Sequence, residues 1–194
     1  MKIPLTPPPH APGTSPLVLC DTRELPWSEH PWARYWQGVR VERNTLQTGD
    51  FALKGFEDVW VVERKAPSDF LACVGGERER FEKELARSRY CGRFLVVVEG
   101  SFQNVIKQAR GIHENAILGT VTAWIRRYCP VLFCDTPELA AGVALRWLLQ
   151  PIQEARRNVK TAASFDALPS ALPAKAAHRG GSGESGPFEC TPRC

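Results

Sequence analysis

Two acidic residues and a lysine are the side chains in this sequence best suited to joint chemistry. Asp50 follows Gly49, and Glu63 and Lys65 stand two positions apart at the end of the apolar run 59–65. Because successive strand side chains alternate between the faces of a sheet, Glu63 and Lys65 are predicted to face the same way. The glycine lets the backbone bend or pass close to a neighbour, so Asp50 is predicted to approach them across a hairpin.

These residue types point to metal-assisted cleavage of a phosphodiester bond. Asp50 and Glu63, with Asp21 at the end of a separate apolar run, offer the oxygen ligands that Mg²⁺ or Mn²⁺ accepts. A bound metal polarises a phosphate oxygen and acidifies a water molecule. An adjacent lysine can position that water, assist its deprotonation or stabilise developing negative charge. The alternative is a surface hairpin with an exposed Glu–Lys pair, which contributes little energy and is common.

A longer pattern surrounds these residues. GD at residues 49–50 is followed by ERKAPSD at residues 63–69, and three further segments stand in order: DTRE at 21–24, GERERF at 76–81 and LVVVEG at 95–100. Together they resemble the signature of the XPF-type structure-specific endonuclease family, in which GD and ERK-x-x-x-D are the central motifs. The resemblance covers roughly residues 17–150 and favours the catalytic interpretation over the exposed pair.

The resemblance implies a restriction-endonuclease-like fold and metal-dependent cutting of branched, flap or fork DNA in repair, recombination or replication. Position by position, Asp21, Asp50 and Glu63 match the metal-binding acids, and Lys65 matches the catalytic lysine. The implied cofactor is Mg²⁺ or Mn²⁺, with no nucleotide cofactor. The implied partners are DNA and, because relatives dimerise through this domain, a second copy or a related nuclease-fold subunit. The candidate dimer surfaces are an apolar stripe on the helix predicted over residues 136–155 and the helix over 114–128.

Further motif residues support this set without a fixed role. Glu24 and Asp69 match acidic positions of the motif, although an acid in the first turn of a helix, such as Asp69, is also favoured by the helix dipole. Arg64 is predicted to point away from Glu63 and to be structural. Arg23 is expected either to pair with a carboxylate or to reach a phosphate.

Basic residues near a glycine pair are the candidate DNA contacts. Arg78 and Arg80 follow the GG pair at residues 75–76 and are expected to touch backbone phosphates. The alternative is a solvated helix face with charge pairs between neighbouring turns. Glu84 stands where the family usually has glutamine, which puts in question how this helix meets DNA.

The elements that must position these residues alternate between strands and helices. Strands are predicted over residues 17–20, 40–46, 49–53, 59–65, 94–99 and 131–134. Helices are predicted from residue 67 with a break at 75–76, and over 101–110, 114–128 and 137–155, with a loop and short helix in 27–38. The fold class is therefore α/β, with a mixed central sheet flanked by helices on both faces.

Composition divides the chain into three parts. Residues 17–156 are expected to form the nuclease domain. The head, residues 1–16, is rich in proline, the tail, residues 157–194, is rich in Ala, Pro, Gly and Ser, and both are expected to be disordered. That tail has the wrong composition for the helix-hairpin-helix module of many relatives. We therefore expect a stand-alone nuclease domain.

Charge, hydropathy and cysteine content bear on which partners and which cellular compartment the chain suits. The net charge is +4, but residues 17–155 contain 18 basic and 18 acidic residues, so bulk charge gives no argument for DNA binding. The longest apolar run, residues 94–98, is far shorter than the roughly 20 residues of a membrane helix. Seven scattered cysteines without a C-x-x-C pair indicate a reducing compartment, and no signal peptide is visible. The expected location is the cytoplasm of a prokaryote or a phage host, or a eukaryotic nucleus.

Two other functions remain open at this stage. The first is a nuclease-fold subunit that has lost catalysis and only binds DNA, and the complete set of acids and lysine argues against it. The second is a Holliday-junction or restriction-type nuclease of the same fold, and the ERK-x-x-x-D string argues against that.

Overall fold

A computed structural model describes residues 16–166 of the chain, and side chains as far as residue 161. The predicted head, except Pro16, and the part of the predicted tail beyond residue 166 lie outside the described residues. The chain divides into two units, Met1–Arg157 and Asn158–Cys194, and the sheet and the candidate site belong to the first.

A six-stranded mixed sheet forms the centre of the first unit. Its strands are β1 (Leu17–Asp21), β2 (Arg40–Asn44), β3 (Phe51–Leu53), β4 (Trp60–Lys65), β5 (Arg93–Val98) and β6 (Val131–Phe133). Their order across the sheet is β2-β1-β3-β4-β5-β6. Strand β3 runs antiparallel to β1 and β4, and the other neighbouring pairs are parallel. The predicted mixed sheet and the predicted hairpin over residues 51–65 are confirmed.

Among the described residues, five helices connect and cover the strands: α1 (Pro67–Val74), α2 (Arg78–Ser88), α3 (Phe102–Gln108), α4 (Glu114–Arg127) and α5 (Pro137–Asp166). Helix α1 begins with Pro67 in its first turn, where the missing N–H has no helical acceptor to lose. It ends at Gly75, so the predicted break before α2 is confirmed. None of the helices in the described part of the chain is long and apolar enough to cross a membrane.

Two details of the secondary-structure prediction were wrong. Helix α5 does not end at residue 155 but continues to Asp166 with Pro151 inside it. The residues after Pro151 include Gln, Glu, Ala, Arg and Lys, which favour helix strongly enough to continue it. Residues 27–38 form turns and no helix, because their aromatic side chains pack into the core and decide the path of the backbone.

Two apolar cores lie on the two faces of the sheet. One joins alternate strand residues to α1, α2 and α4, and its members include Leu19, Ala52, Val61, Phe70, Phe81 and Trp124. The other joins the intervening strand residues to α5 and to the 27–38 segment, with Phe51, Val62, Trp32, Trp36, Leu145 and Leu148 among its members. Helices therefore cover both faces, as predicted. Leu139, Val143 and Trp147 from the apolar stripe of α5 pack against this second core.

One end of this sheet brings the candidate residues together. The N–H of Asp21 donates to the carbonyl oxygen of Asp50 at 2.8 Å, and the N–H of Asp50 donates to that of Val62 at 2.9 Å. Gly49 has φ +75°, and a Cβ there would overlap Cγ1 of Val61. Only glycine therefore lets the chain turn into β3 this close to β4.

Candidate active site

Asp50, Glu63 and Lys65 form a cluster at that end of the sheet, in which Glu63 is buried and the other two are partly buried. Glu63 and Lys65 lie two residues apart on β4, and Oε1 of Glu63 accepts a hydrogen bond from Nζ of Lys65. Glu63 is 2% exposed and the Lys65 side chain 15% exposed. Asp50 directly precedes Phe51, which pairs with Val62 of β4. Its carboxylate interacts electrostatically with Glu63 and Lys65. The structure thus brings together the three residues that the spacing placed on one site.

Burial and neighbouring charges shift the pKa values of the three charged groups in this cluster. Burial raises the pKa of Glu63 to about 7 against the attraction of Lys65, and the carboxylates of Glu84 and Glu24 add to the rise. Burial and repulsion from Glu63 raise the pKa of Asp50 well above its ordinary value. Burial disfavours the charged ammonium of Lys65, but Glu63 and Asp50 outweigh it and raise its pKa.

The two carboxylates fit a divalent metal ion. Oε2 of Glu63 is buried and has no hydrogen-bond partner among the described residues, and the carboxylate of Asp50 is desolvated and repelled by that of Glu63. A cation would relieve both. No group of three or more His, Cys, Asp or Glu side chains able to hold a metal occurs within the described residues. The pair therefore suits Mg²⁺, which is commonly held by one or two carboxylates together with waters and substrate oxygens.

Asp21 is not part of this pair. Its Oδ1 accepts from the N–H and Nε of Arg23 at 2.8 and 2.6 Å, and its Oδ2 accepts from the N–H of Leu46 at 2.7 Å. Burial opposes the charge on Asp21, but these hydrogen bonds lower its pKa below the ordinary value. Three hydrogen bonds already engage both oxygens of Asp21, so Asp50 and Glu63 are the better candidates for metal ligands, and a metal-binding role for Asp21 stays a prediction.

The three supporting motif residues, Arg64, Glu24 and Asp69, lie in different places relative to the cluster. Arg64 points away from Glu63, as alternation predicts, and its guanidinium donates to Glu99 at 3.0 and 2.7 Å. Glu24 lies near the cluster, where the hydrogen bond to His30 at 3.2 Å lowers its pKa. Asp69 is exposed in the first turn of α1, outside the cluster, and fits the helix-dipole alternative.

The predicted DNA-contacting arginines are paired with acids of this chain. Nε of Arg78 donates to Glu82 at 2.9 Å, and Nε of Arg80 donates to Glu77 at 2.6 Å. Both side chains are exposed on α2, which fits a solvated helix face, and their contact with DNA stays a prediction. Arg23 is 60% exposed and pairs with Asp21, which is one of its two expected roles.

Comparison with known proteins decides the family. A family model of the ERCC4 domain matches residues 20–145 of the chain. The chain belongs to the ERCC4 domain family. The matched range contains every site residue considered above, and the ERCC4 domain is the XPF-type nuclease domain that the motifs resemble.

Solved structures give the ERCC4 domain the same fold. XPF from Aeropyrum pernix is 22% identical, with a TM-score of 0.59 over 80% of this chain and 75% of that chain. XPF from Aeropyrum pernix in complex with DNA is 25% identical, with a TM-score of 0.58 over 72% of this chain and 66% of that chain. No curated protein matches the sequence.

The ERCC4 domain also contains site residues that the sequence analysis did not single out. Glu99 holds Arg64, and His30 holds Glu24, although neither was a candidate. Glu99 had a recognisable signal in the sequence. It is a charged residue that directly follows a buried apolar run, as Glu63 follows the apolar residues 60–62. His30 had none, because its partner depends on how the 27–38 segment folds back.

Proposed function

We propose that this ERCC4 domain is a divalent-metal-dependent endonuclease that hydrolyses phosphodiester bonds in branched, flap or fork DNA. The observation that carries the proposal is the Asp50–Glu63 pair beside Lys65, in which Glu63 is buried and its Oε2 has no hydrogen-bond partner among the described residues. The complete set argues against an inactive subunit. DNA as the substrate is supported by the ERCC4 family and by a relative that was solved in complex with DNA.

Asp50 and Glu63 would hold the metal, which supplies polarisation of the scissile phosphate and a water of lowered pKa. The raised pKa of Lys65 keeps its ammonium protonated at neutral pH. Lys65 therefore acts as a fixed positive charge that orients the attacking water and stabilises the negative charge developing on phosphate oxygens.

Assembly and location stay predictions. Leu118 and Ile125 on α4 and Leu132 on β6 are 52%, 50% and 43% exposed, whereas the apolar residues of the α5 stripe pack on the core. Of the two candidate dimer surfaces, α4 is therefore the better supported. Light scattering at micromolar concentration tests this: a mass of 21.6 kDa with and without branched DNA contradicts a homodimer.

The free thiols, among them buried Cys20 and Cys73, support a reducing compartment.

A substrate panel tests the activity. The purified full-length chain is incubated with Mg²⁺ or Mn²⁺ and end-labelled flaps, forks, four-way junctions and plain duplex, with Glu63→Gln protein and chelator as controls. We expect metal-dependent cuts near the branch point of flaps or forks and little cutting of duplex. Cutting restricted to four-way junctions favours the Holliday-junction alternative. DNA binding without cutting by folded wild-type protein contradicts the proposal.

A further inference from the structure

A buried ion pair lies directly behind the candidate site. Glu99 follows β5, and its carboxylate accepts from Nε of Arg64 at 3.0 Å, from Nη2 of Arg64 at 2.7 Å and from the indole N–H of Trp32. Alternation places these contacts on the opposite face of the sheet from Glu63 and Lys65. Nothing in the reaction proposed above assigns a role to Glu99.

The main chain connects this ion pair to the site. The N–H of Arg64 donates to Oδ2 of Asp50 at 2.7 Å, and the N–H of Glu99 donates to the carbonyl oxygen of Lys65 at 2.9 Å. Arg64 is thus held by its side chain on one face of the sheet while its amide holds the Asp50 carboxylate. Any rotation of β4 about its axis would move that amide, and the two-point contact with Glu99 opposes such rotation.

A ring of polar contacts extends the support. Nδ1 of His30 accepts from the N–H of Trp32 at 3.1 Å, so Nε2 is the protonated nitrogen and donates to Oε2 of Glu24 at 3.2 Å. That oxygen of Glu24 lies 3.8 Å from Nη1 of Arg64. The guanidinium of Arg64 is therefore constrained by two carboxylates, which are themselves held by Trp32 and His30.

Stability alone does not explain a pair of this kind. The side chains of Glu99 and Arg64 are 7% and 16% exposed, so both charges are largely removed from water. Such pairs are often no more stabilising than apolar residues of the same volume. They do fix geometry, because a planar guanidinium meets a carboxylate through two parallel hydrogen bonds.

We propose that Glu99 is a positioning residue for the candidate active site: it holds the Arg64 guanidinium, and the Arg64 amide then orients the carboxylate of Asp50. This inference rests on the proposed function, since it supplies the support for the same metal-binding pair. Weakening the pair leaves Asp50 free to turn away from Glu63, so the two carboxylates bind a divalent ion less tightly.

Glu99→Gln tests the inference because it keeps the shape of the side chain and removes its charge. Glu82→Gln is the matched control, since Glu82 accepts from Nε of Arg78 at 2.9 Å and from the indole N–H of Trp124 at 3.0 Å on α2. We expect Glu99→Gln to weaken Mn²⁺ binding and to lower kcat by about tenfold each, with KM for DNA nearly unchanged. Glu82→Gln should change neither. Mn²⁺ binding is measured without DNA, by electron paramagnetic resonance of the free ion.

Two further variants show whether Glu99 acts through Arg64. Arg64→Lys keeps the positive charge but loses the two-point contact with Glu99, so it should show the same loss of Mn²⁺ affinity as Glu99→Gln. It replaces Glu99→Gln as the test if that variant folds poorly. In an Arg64→Met background, adding Glu99→Gln should change Mn²⁺ affinity by less than about twofold, because the pair is already broken.

Each outcome separates the two proposals. Unchanged Mn²⁺ affinity and kcat in folded Glu99→Gln, equal losses in Glu82→Gln, or additive losses in the double variant overturn the positioning role and leave the proposed function standing. Wild-type protein that binds Mn²⁺ with the expected dependence on Glu99 but cuts no DNA supports the positioning role and contradicts the proposed function. Wild-type protein that binds no Mn²⁺ overturns both.

Discussion

Glu63 meets Nζ of Lys65 with one carboxylate oxygen, Oε1, and keeps the other, Oε2, buried without a hydrogen-bond donor among the described residues. A buried polar atom without a partner costs roughly 1–3 kcal/mol. The unpartnered Oε2 therefore lowers the free energy of unfolding of the metal-free protein, and the same oxygen is available to bind a cation.

The carboxylates of the pair should be essential for cleavage but not for folding. Asp50→Asn and Glu63→Gln remove a negative charge without changing volume, so we expect loss of metal-dependent cutting and a native circular dichroism spectrum. The melting temperature of metal-free Glu63→Gln should equal or exceed that of wild type, because a buried charge is removed. Glu79→Gln, at an exposed ion pair with Lys83, is the control and should cut normally. Wild-type cleavage by folded Glu63→Gln would show that the site is wrongly assigned.

Lys65 should contribute a fixed charge. Lys65→Ala is expected to lower the single-turnover cleavage rate by about 100-fold or more, the usual scale for one positioned catalytic group. A Lys83→Ala variant controls for loss of a surface charge on α2. Activity of Lys65→Ala within twofold of wild type contradicts the assigned role.

Stability of the metal-free protein should fall as pH rises through the range where Glu63 ionises. Its pKa rises from an ordinary 4.5 to about 7 on folding, so between these values the folded state holds a proton that the unfolded state has lost. The free energy of unfolding therefore decreases from pH 4.5 to 7, and the raised pKa of Asp50 acts in the same direction. Urea unfolding in chelator at pH 5 and pH 7.5 measures the decrease.

Glu63→Gln and Mg²⁺ provide the controls for that pH dependence. The variant lacks the titrating group, so its unfolding free energy should change less between the two pH values. Saturating Mg²⁺ binds the ionised pair in the folded state only and should restore stability at pH 7.5 in wild type but not in Glu63→Gln. An equal decrease in wild type and variant would assign the effect to other groups.

Gly49 should tolerate no side chain. Gly49→Ala combines φ +75° with a Cβ that overlaps Cγ1 of Val61, so β3 must move away from β4 and carry Asp50 with it. Gly55 is the matched control, because its φ is +86° and a Cβ there meets nothing within 4 Å. We expect Gly49→Ala to unfold at clearly lower urea concentration than Gly55→Ala, which should lose about 1 kcal/mol. Equal losses would show that the close approach to β4 does not matter.

Local geometry made much of the site predictable from the sequence. The two-residue period of a strand is enough to put Glu63 and Lys65 on one face and Arg64 on the other. The spacing of GD and ERK-x-x-x-D across a short turn is enough to place Asp50 in the hairpin beside them. These relationships hold over fewer than about 20 residues of chain, where backbone periodicity decides direction, and the family resemblance supplied the expected restriction-endonuclease-like fold.

Only the tertiary structure decided which charged groups meet. Asp21 and Asp50 both match acids of the family motif, yet the Asp21 carboxylate accepts hydrogen bonds from Arg23 and from the amide of Leu46, which lies 25 residues away. Glu99 reaches Arg64 across 35 residues because β5 packs beside β4. A side chain's type fixes what it can bind, but the donors available to it are set by how distant loops and strands close around it, and periodicity carries no information about that.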